Sequence, residues 1–190
     1  MAPATAGLPP VPLADGITMR IAAEDDAEAL ADAFTRNHEH LRPSSPRRDE
    51  SFFTADGQAA RLRDQLEQWK SGRMVPWVLA GGERILGTVT LSHIVLGPWR
   101  NAHLGYWIDA GHVGRGLATL AVRSVCRTAD EGLGLHRIEA STLVENVPSQ
   151  RTLLGCGFIR IGMAPDYLHI AGAWRDHLLF QRVLNDRPVP

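Results

Sequence analysis

The stretch His112-Val-Gly-Arg-Gly-Leu-Ala-Thr119 constrains this chain more than any other. It follows a strand-like run, Ala102 to Ile108, and it opens a helix-like run, Leu117 to Glu131. A strand that ends in glycines and passes directly into a helix leaves several backbone N–H groups unpaired and aimed at one spot. The helix dipole adds partial positive charge there, which suits a phosphate or diphosphate. Gly114 and Gly116 let the backbone approach a ligand with no Cβ in the way, and Arg115 adds a charged fork. Two glycines at a helix start also occur in ordinary strand-to-helix turns, so the turn needs support from the rest of the chain.

A length of 190 residues predicts one domain, over 17–185, behind a flexible Pro- and Ala-rich tail at 1–16. A net charge of −1 argues against a nucleic-acid footprint over the whole surface, although Pro46-Arg47-Arg48 is locally basic. No direct nucleic-acid binding is expected. Cys126 and Cys156 make neither a disulfide framework nor a metal motif, which points to a reducing, cytoplasmic setting. No apolar run approaches the ~20 residues that cross a bilayer, so no membrane contact is expected. The eight histidines show no metal-ligand spacing, and neither cysteine has an activating partner at recognisable spacing.

The apolar periodicity orders the elements. Thr18 to Ile21 reads as a strand, and Asp25-x-x-Glu28 resembles a capping box for a helix with Ala27, Leu30, Ala31 and Phe34 on its apolar side. Pro43 and Pro46 predict an irregular segment from Asn37. A second helix follows over Gln58 to Lys70. Pro76 to Ala80 and Arg84 to Ile94 form a hairpin around Gly81-Gly82, and Ala102 to Ile108 is the next strand. After the glycine turn and its helix come a strand at Arg137 to Leu143 and a short helix capped by Asn146. Phe158 to Met163, Tyr167 to Ile170 and Trp174 to Val183 close the chain as three strands.

This order, with Val113-Gly-Arg-Gly-Leu-Ala118 and Asn146-x-x-Ser149…Gly157-Phe158, resembles the GNAT acetyltransferase family. His40-Leu-Arg-Pro43, Arg48-Asp-Glu-Ser51, Leu104-Gly-Tyr106, His136-Arg-Ile138 and Asp166-Tyr-Leu…Gly172-Ala-Trp-Arg-Asp176 narrow the likeness to its RimJ/RimL branch, and to RimJ-type enzymes above all. The resemblance spans roughly residues 18 to 183. It implies an α+β fold with a mixed central sheet of about seven strands, splayed in the middle and flanked by about four helices. It also implies acetyl-CoA as co-substrate. The diphosphate would lie on the amides of Gly114, Arg115, Gly116, Leu117, Ala118 and Thr119. The pantetheine arm would pair with the strand ending Tyr106-Trp107-Ile108 and approach Asn146. The family's loop usually begins with Gln or Arg; Val113 here removes that side-chain contribution and leaves the backbone cradle.

Transfer to an amine requires loss of a proton from nitrogen and stabilisation of the departing thiolate. The likeness to RimL-type enzymes implies Ser149 as hydrogen-bond donor to sulfur. A solvent-facing Ser in the first helical turn is its plainer role, as a simple N-cap is for Asn146. His103, on one strand face with Gly105 and Trp107, and Asp166, before the last hairpin, are candidate bases, each with a structural alternative. A protein α-amine has a pKa near ~7.7–8.0, so a dedicated base is dispensable. The segment from Asn37 to Ser51, with His38, His40 and Arg42, is a candidate acceptor wall. Trp77, Tyr106, Tyr167 and Trp174 are further candidates, with core packing the plainer expectation for each. The RimJ likeness implies a protein N-terminus as acceptor, of the Ala or Ser type and including ribosomal proteins. A small-molecule amine or antibiotic acceptor and a non-catalytic acyl-CoA-binding module stay open, as does a homodimer.

Overall fold

The computed structural model describes residues 7–188. Eight strands form one sheet in the order β1-β2-β3-β4-β5-β6-β8-β7. They are β1 (Val11–Pro12), β2 (Ile17–Ile21), β3 (Val75–Gly81), β4 (Arg84–Val95), β5 (Asn101–Ile108), β6 (Arg137–Leu143), β7 (Ile159–Ile170) and β8 (Ala173–Val183). The helices are α1 (Ala27–Arg36), α2 (His38–Leu41), α3 (Ala55–Lys70), α4 (Leu117–Arg127) and α5 (Val147–Gly155). The expected tail lies outside the described residues as far as position 6. Within its remainder, Val11 and Pro12 pair with Met19 and Thr18 and add the eighth strand.

Every neighbouring pair of strands is antiparallel except β5 and β6. That parallel pair is short: Asn101 to Leu104 lie opposite Arg137 to Ala140, and the pairing stops there. From Gly105 to Ile108, β5 keeps only its partner β4. Residues 141–143 of β6 pair only with β8. The sheet therefore opens between β5 and β6, leaving one edge of residues 105–108 with unmatched backbone groups.

Alternation along β5 sends side chains to two separate cores. Ala102, Leu104 and Tyr106 face the larger one, under α4 and α5, where Leu117, Ala121, Val125 and Leu153 are buried. Trp107 faces the smaller one, with Leu30, Ala33 and Phe34 of α1 and Leu62 of α3.

Three local readings of the sequence change. The start of α1 is fastened by Asp26 rather than by an Asp25–Glu28 box: its carboxylate takes both Arg20 nitrogens at 2.6 and 2.8 Å and the Ala23 amide at 2.8 Å. Residues 38–41 form a turn of helix despite Pro43, which sits at the start of the next helical turn, where a missing N–H costs nothing. The two strands expected over 158–170 are one strand, β7, whose register shifts between Ala164 and Leu168.

Candidate active site

The end of β5 is tied down before the glycine turn begins. The buried Asp109 carboxylate accepts hydrogen bonds from Arg36 Nε, Asn37 Nδ2 and the Gly111 amide at 2.9 Å each, and contacts His112 Nδ1 at 3.2 Å. Asn37 Oδ1 in turn accepts the Ala110 amide at 2.8 Å. Burial alone would raise the Asp109 pKa, but the bonds from Asn37, Arg36 and His112 outweigh it and hold the carboxyl well below the usual range. This knot joins the end of α1 to the strand end that launches the turn.

Beyond it the chain is open. Val113, Gly114, Arg115 and Gly116 are exposed, and Leu117 turns inward to anchor α4. Gly114 and Gly116 hold φ of 75° and 78°, which other residues adopt at a cost of roughly 1–2 kcal/mol. A Cβ at either glycine would meet nothing within 4 Å. The first helical bond runs from the Leu120 amide to the Gly116 carbonyl at 3.0 Å. Among the described residues, the amides of 114–119 donate to no protein acceptor. Six N–H groups at the positive end of an eleven-residue helix are thus left without a protein acceptor, a cradle that fits a diphosphate.

The splay adjoins this turn. Across it, the Tyr106 hydroxyl of β5 lies 2.8 Å from Ser149 Oγ of α5 and 3.3 Å from the Ser149 carbonyl oxygen. Burial, the larger effect, pushes Tyr106 up to about 12 against the opposing effect of the Ser149 hydrogen bond, so it keeps its proton at neutral pH. Asn146 is the N-cap of α5, its Oδ1 accepting the Ser149 amide at 3.2 Å. The cap uses only the oxygen, so Asn146 keeps Nδ2 for another partner. Leu153, fully buried, fixes the helix that carries Ser149.

On the opposite face of the sheet lies a cavity of about 360 Å³, lined by Phe34, Phe52, Phe53, Trp107 and Thr88 together with His38, Arg42, Arg47, Arg48, Arg61 and Ala171. Trp107 packs on Phe34 at 5.0 Å and Phe34 on Phe52 at 4.8 Å, forming an aromatic wall. The turn between β7 and β8 closes one side, its Ala171 amide donating to the Ser45 carbonyl at 3.0 Å. His38 and Arg42 thus line the cavity as the sequence suggests, while His40 does not. Trp77 is buried in the core. Tyr167 and Trp174, for which core packing was the plainer expectation, are 39% and 61% exposed on the β7–β8 hairpin. Phe52 and Arg61 escape sequence reading; the one signal is Gln58, Arg61 and Gln65, a polar stripe at helical spacing beside the apolar face of α3.

His103 sits opposite Ser92 of β4 and Glu139 of β6, two residues before the splay opens at Gly105, and it lines no part of the cavity. Burial is the main effect that lowers its pKa, with the nearby His93 and His177 rings acting in the same direction and Glu139 against it, so the imidazole is neutral at pH 7. Asp166 stands apart: it is exposed on the β7 bulge at φ 46°, its amide donating to Asp176 Oδ1 at 2.9 Å, and it lines no part of the cavity. The Cys126 thiol is pushed up to about 11 by burial, and burial raises Cys156 as well, so neither is an activated nucleophile. Among the described residues no His, Cys, Asp and Glu side chains group to hold a metal. No helix is long and apolar enough to cross a membrane.

Residues 17–159 match the acetyltransferase (GNAT) domain model. The chain belongs to the GNAT acetyltransferase family. The acetyltransferase is 35% identical over 167 residues to the Escherichia coli [ribosomal protein uS5]-alanine N-acetyltransferase, covering 87% of this chain and 86% of the relative. It is 34% identical over 154 residues to the probable N-acetyltransferase YjcK of Bacillus subtilis, covering 80% and 85%. Among solved structures, the ribosomal-protein-S5-alanine acetyltransferase of Vibrio fischeri superposes with a TM-score of 0.90 at 32% identity, over 94% of this chain and 99% of that one. Mycobacterium smegmatis RimJ, solved in complex with CoA-disulfide, gives 0.89 at 29% identity, over 96% and 90%. The acetyltransferase thus has the splayed, mixed α+β fold of its family.

Proposed function

We propose that this acetyltransferase moves the acetyl group of acetyl-CoA onto the α-amine of a protein N-terminus beginning with a small residue such as Ala or Ser. The observation that carries this reading is the opening between β5 and β6, which leaves the strand edge at 105–108 unpaired, with an amide cradle following it at 114–119 and an aromatic cavity lined by Trp107 on the other face. The cradle accepts the diphosphate, and the free edge pairs with the amides of the pantetheine arm as an added strand would. Asn146 Nδ2, which the cap leaves free, is a side-chain donor for that arm. The thioester then lies in the splay, between Ser149 on one face and the cavity on the other. The names of the E. coli and V. fischeri relatives support a protein α-amine as acceptor.

The neutral amine attacks the thioester carbonyl carbon; the C–N bond forms as the C–S bond breaks. Ser149 donates its hydroxyl hydrogen toward the departing sulfur, with the Tyr106 hydroxyl supporting Ser149 Oγ from behind. The amine's proton leaves to water, from which the neutral His103 imidazole, itself outside the cavity lining, can take it. Asp166, exposed on its bulge, takes no part in this arrangement.

The test is release of CoA thiol with a panel of Ala- and Ser-initiated peptides and small amines, followed by mass-spectrometric location of the acetyl group. Acetylation of the peptide α-amine is the expected result. Turnover of amines alone would move the substrate to small molecules, and no thiol release with any acceptor would make the fold a binding module.

A further inference from the structure

The acceptor cavity carries an excess of positive charge among the described residues. Of its four arginines, only Arg42 has a carboxylate partner, Glu39 at 3.2 Å. Among the described residues, no carboxylate lines the cavity. Among the described residues, Arg47, Arg48 and Arg61 form no ion pair. Arg61 projects from α3 onto the aromatic wall, 5.5 and 5.7 Å from the Phe34 and Phe52 ring centroids. Its one polar contact is Gln58 Oε1 at 3.3 Å. Arg48 also packs on Phe52, 4.6 Å from its ring centroid. Burial, and after it the charge on Arg48, lower Arg61 to about 10, so the Arg61 guanidinium is cationic at neutral pH and is repelled by Arg48, which packs on the same Phe52 ring.

Arg61, largely buried without a carboxylate partner and with a second guanidinium nearby, forms a site prepared for an anion, while the exposed Arg48 also feels the charge of its exposed neighbour Asp49. We infer that the acceptor peptide carries an acidic side chain within its first few residues, and that Arg61 and Arg48 bind it while the α-amine faces the splay. The inference rests on the N-terminal acetylation reading and specifies which N-termini the site prefers. The same charge disfavours an ammonium, so an α-amine bound there gives up its proton more readily, which is the form that attacks. A polycationic acceptor meets repulsion instead.

Three peptides of one length, each beginning with Ala and differing only in Glu, Gln or Lys at positions 2–4, decide the matter through kcat/KM. A charge-assisted contact predicts that the Glu peptide exceeds the Gln peptide by about tenfold or more at low salt, with the Lys peptide last. The Glu preference falls as salt is raised. Arg48→Gln, at an exposed position, reduces the Glu/Gln ratio to below about threefold while acetyl-CoA affinity stays at the wild-type value, as it does in Arg61→Gln if that variant folds. Equal use of the three peptides, or preference for the Lys peptide, overturns this inference and leaves N-terminal acetylation standing. Failure of all three to react overturns both.

Discussion

Gly116→Glu separates the donor cradle from the fold that carries it. The substitution costs the protein only backbone strain: φ is 78° and a Cβ meets nothing within 4 Å. A non-glycine residue in this region costs roughly 1–2 kcal/mol, a Tm decrease of about 2–8 °C for a chain of this size. Binding suffers far more. A carboxylate placed about 4 Å from a phosphate charge, at an effective dielectric near 20, opposes it by about 4 kcal/mol, a loss of about a thousandfold in affinity. Gly97→Glu is the matched control, since Gly97 has φ 68° and equally open surroundings in the loop between β4 and β5. Titration calorimetry with CoA and a thermal melt on each variant give both quantities. The expected result is a similar small Tm decrease in both, with CoA affinity lost only in Gly116→Glu. CoA affinity within threefold of wild type in Gly116→Glu, or equal loss in the two variants, refutes the cradle.

Ser149→Ala is expected to lower kcat about 10- to 100-fold with little change in the KM for acetyl-CoA, and Tyr106→Phe to act through the same hydroxyl, so that the double variant is no slower than Ser149→Ala; a steady-state comparison of the four proteins in which losses multiply would assign the two hydroxyls separate roles. Asp109→Asn removes the charge that Arg36 and His112 meet and should cost about 3 kcal/mol at pH 7, roughly 6–12 °C in Tm. The Asp109 pKa is depressed in the folded state, so its contribution is fully present above the unfolded value near ~3.9 and is lost as pH falls through and below it. Denaturant titrations between pH 6 and pH 3 should therefore show a shallower stability loss in Asp109→Asn than in wild type; parallel curves would contradict the assigned ion pair.

What the sequence revealed and what it hid follow from the range of the interactions involved. The turn at 113–119 is a local feature: its glycines sit where φ must be positive, and Leu117, Ala121 and Val125 mark one face of α4. The splay is also anticipated, because the family resemblance carries it. Local signals misled where a residue has more than one use. Pro43 reads as a helix breaker yet begins a helical turn, and Asp166 reads as a strand boundary yet sits in a bulge within β7. The helix α3 starts three residues before its periodic apolar residues suggest, because Thr54 Oγ1 caps it through the Gly57 amide at 3.1 Å. The acceptor cavity was largely illegible, since Phe34, Phe52, Arg61, Trp107 and Ala171 come from five separate parts of the chain. The Tyr106–Ser149 bond spans 43 positions and has no spacing signal at all.

The central claim is that one continuous path leads from the turn at 114–119, through the opening between β5 and β6, into the arginine-lined cavity. A crystal structure with a bisubstrate compound, CoA joined through sulfur to the α-nitrogen of an Ala-Glu peptide, tests it in one measurement. The account predicts diphosphate oxygens on the amides of 114–119, the pantetheine amides paired with residues 105–108, and the peptide carboxylate against Arg48 and Arg61. A compound bound with its peptide outside the cavity, or with its diphosphate away from the turn, would contradict it.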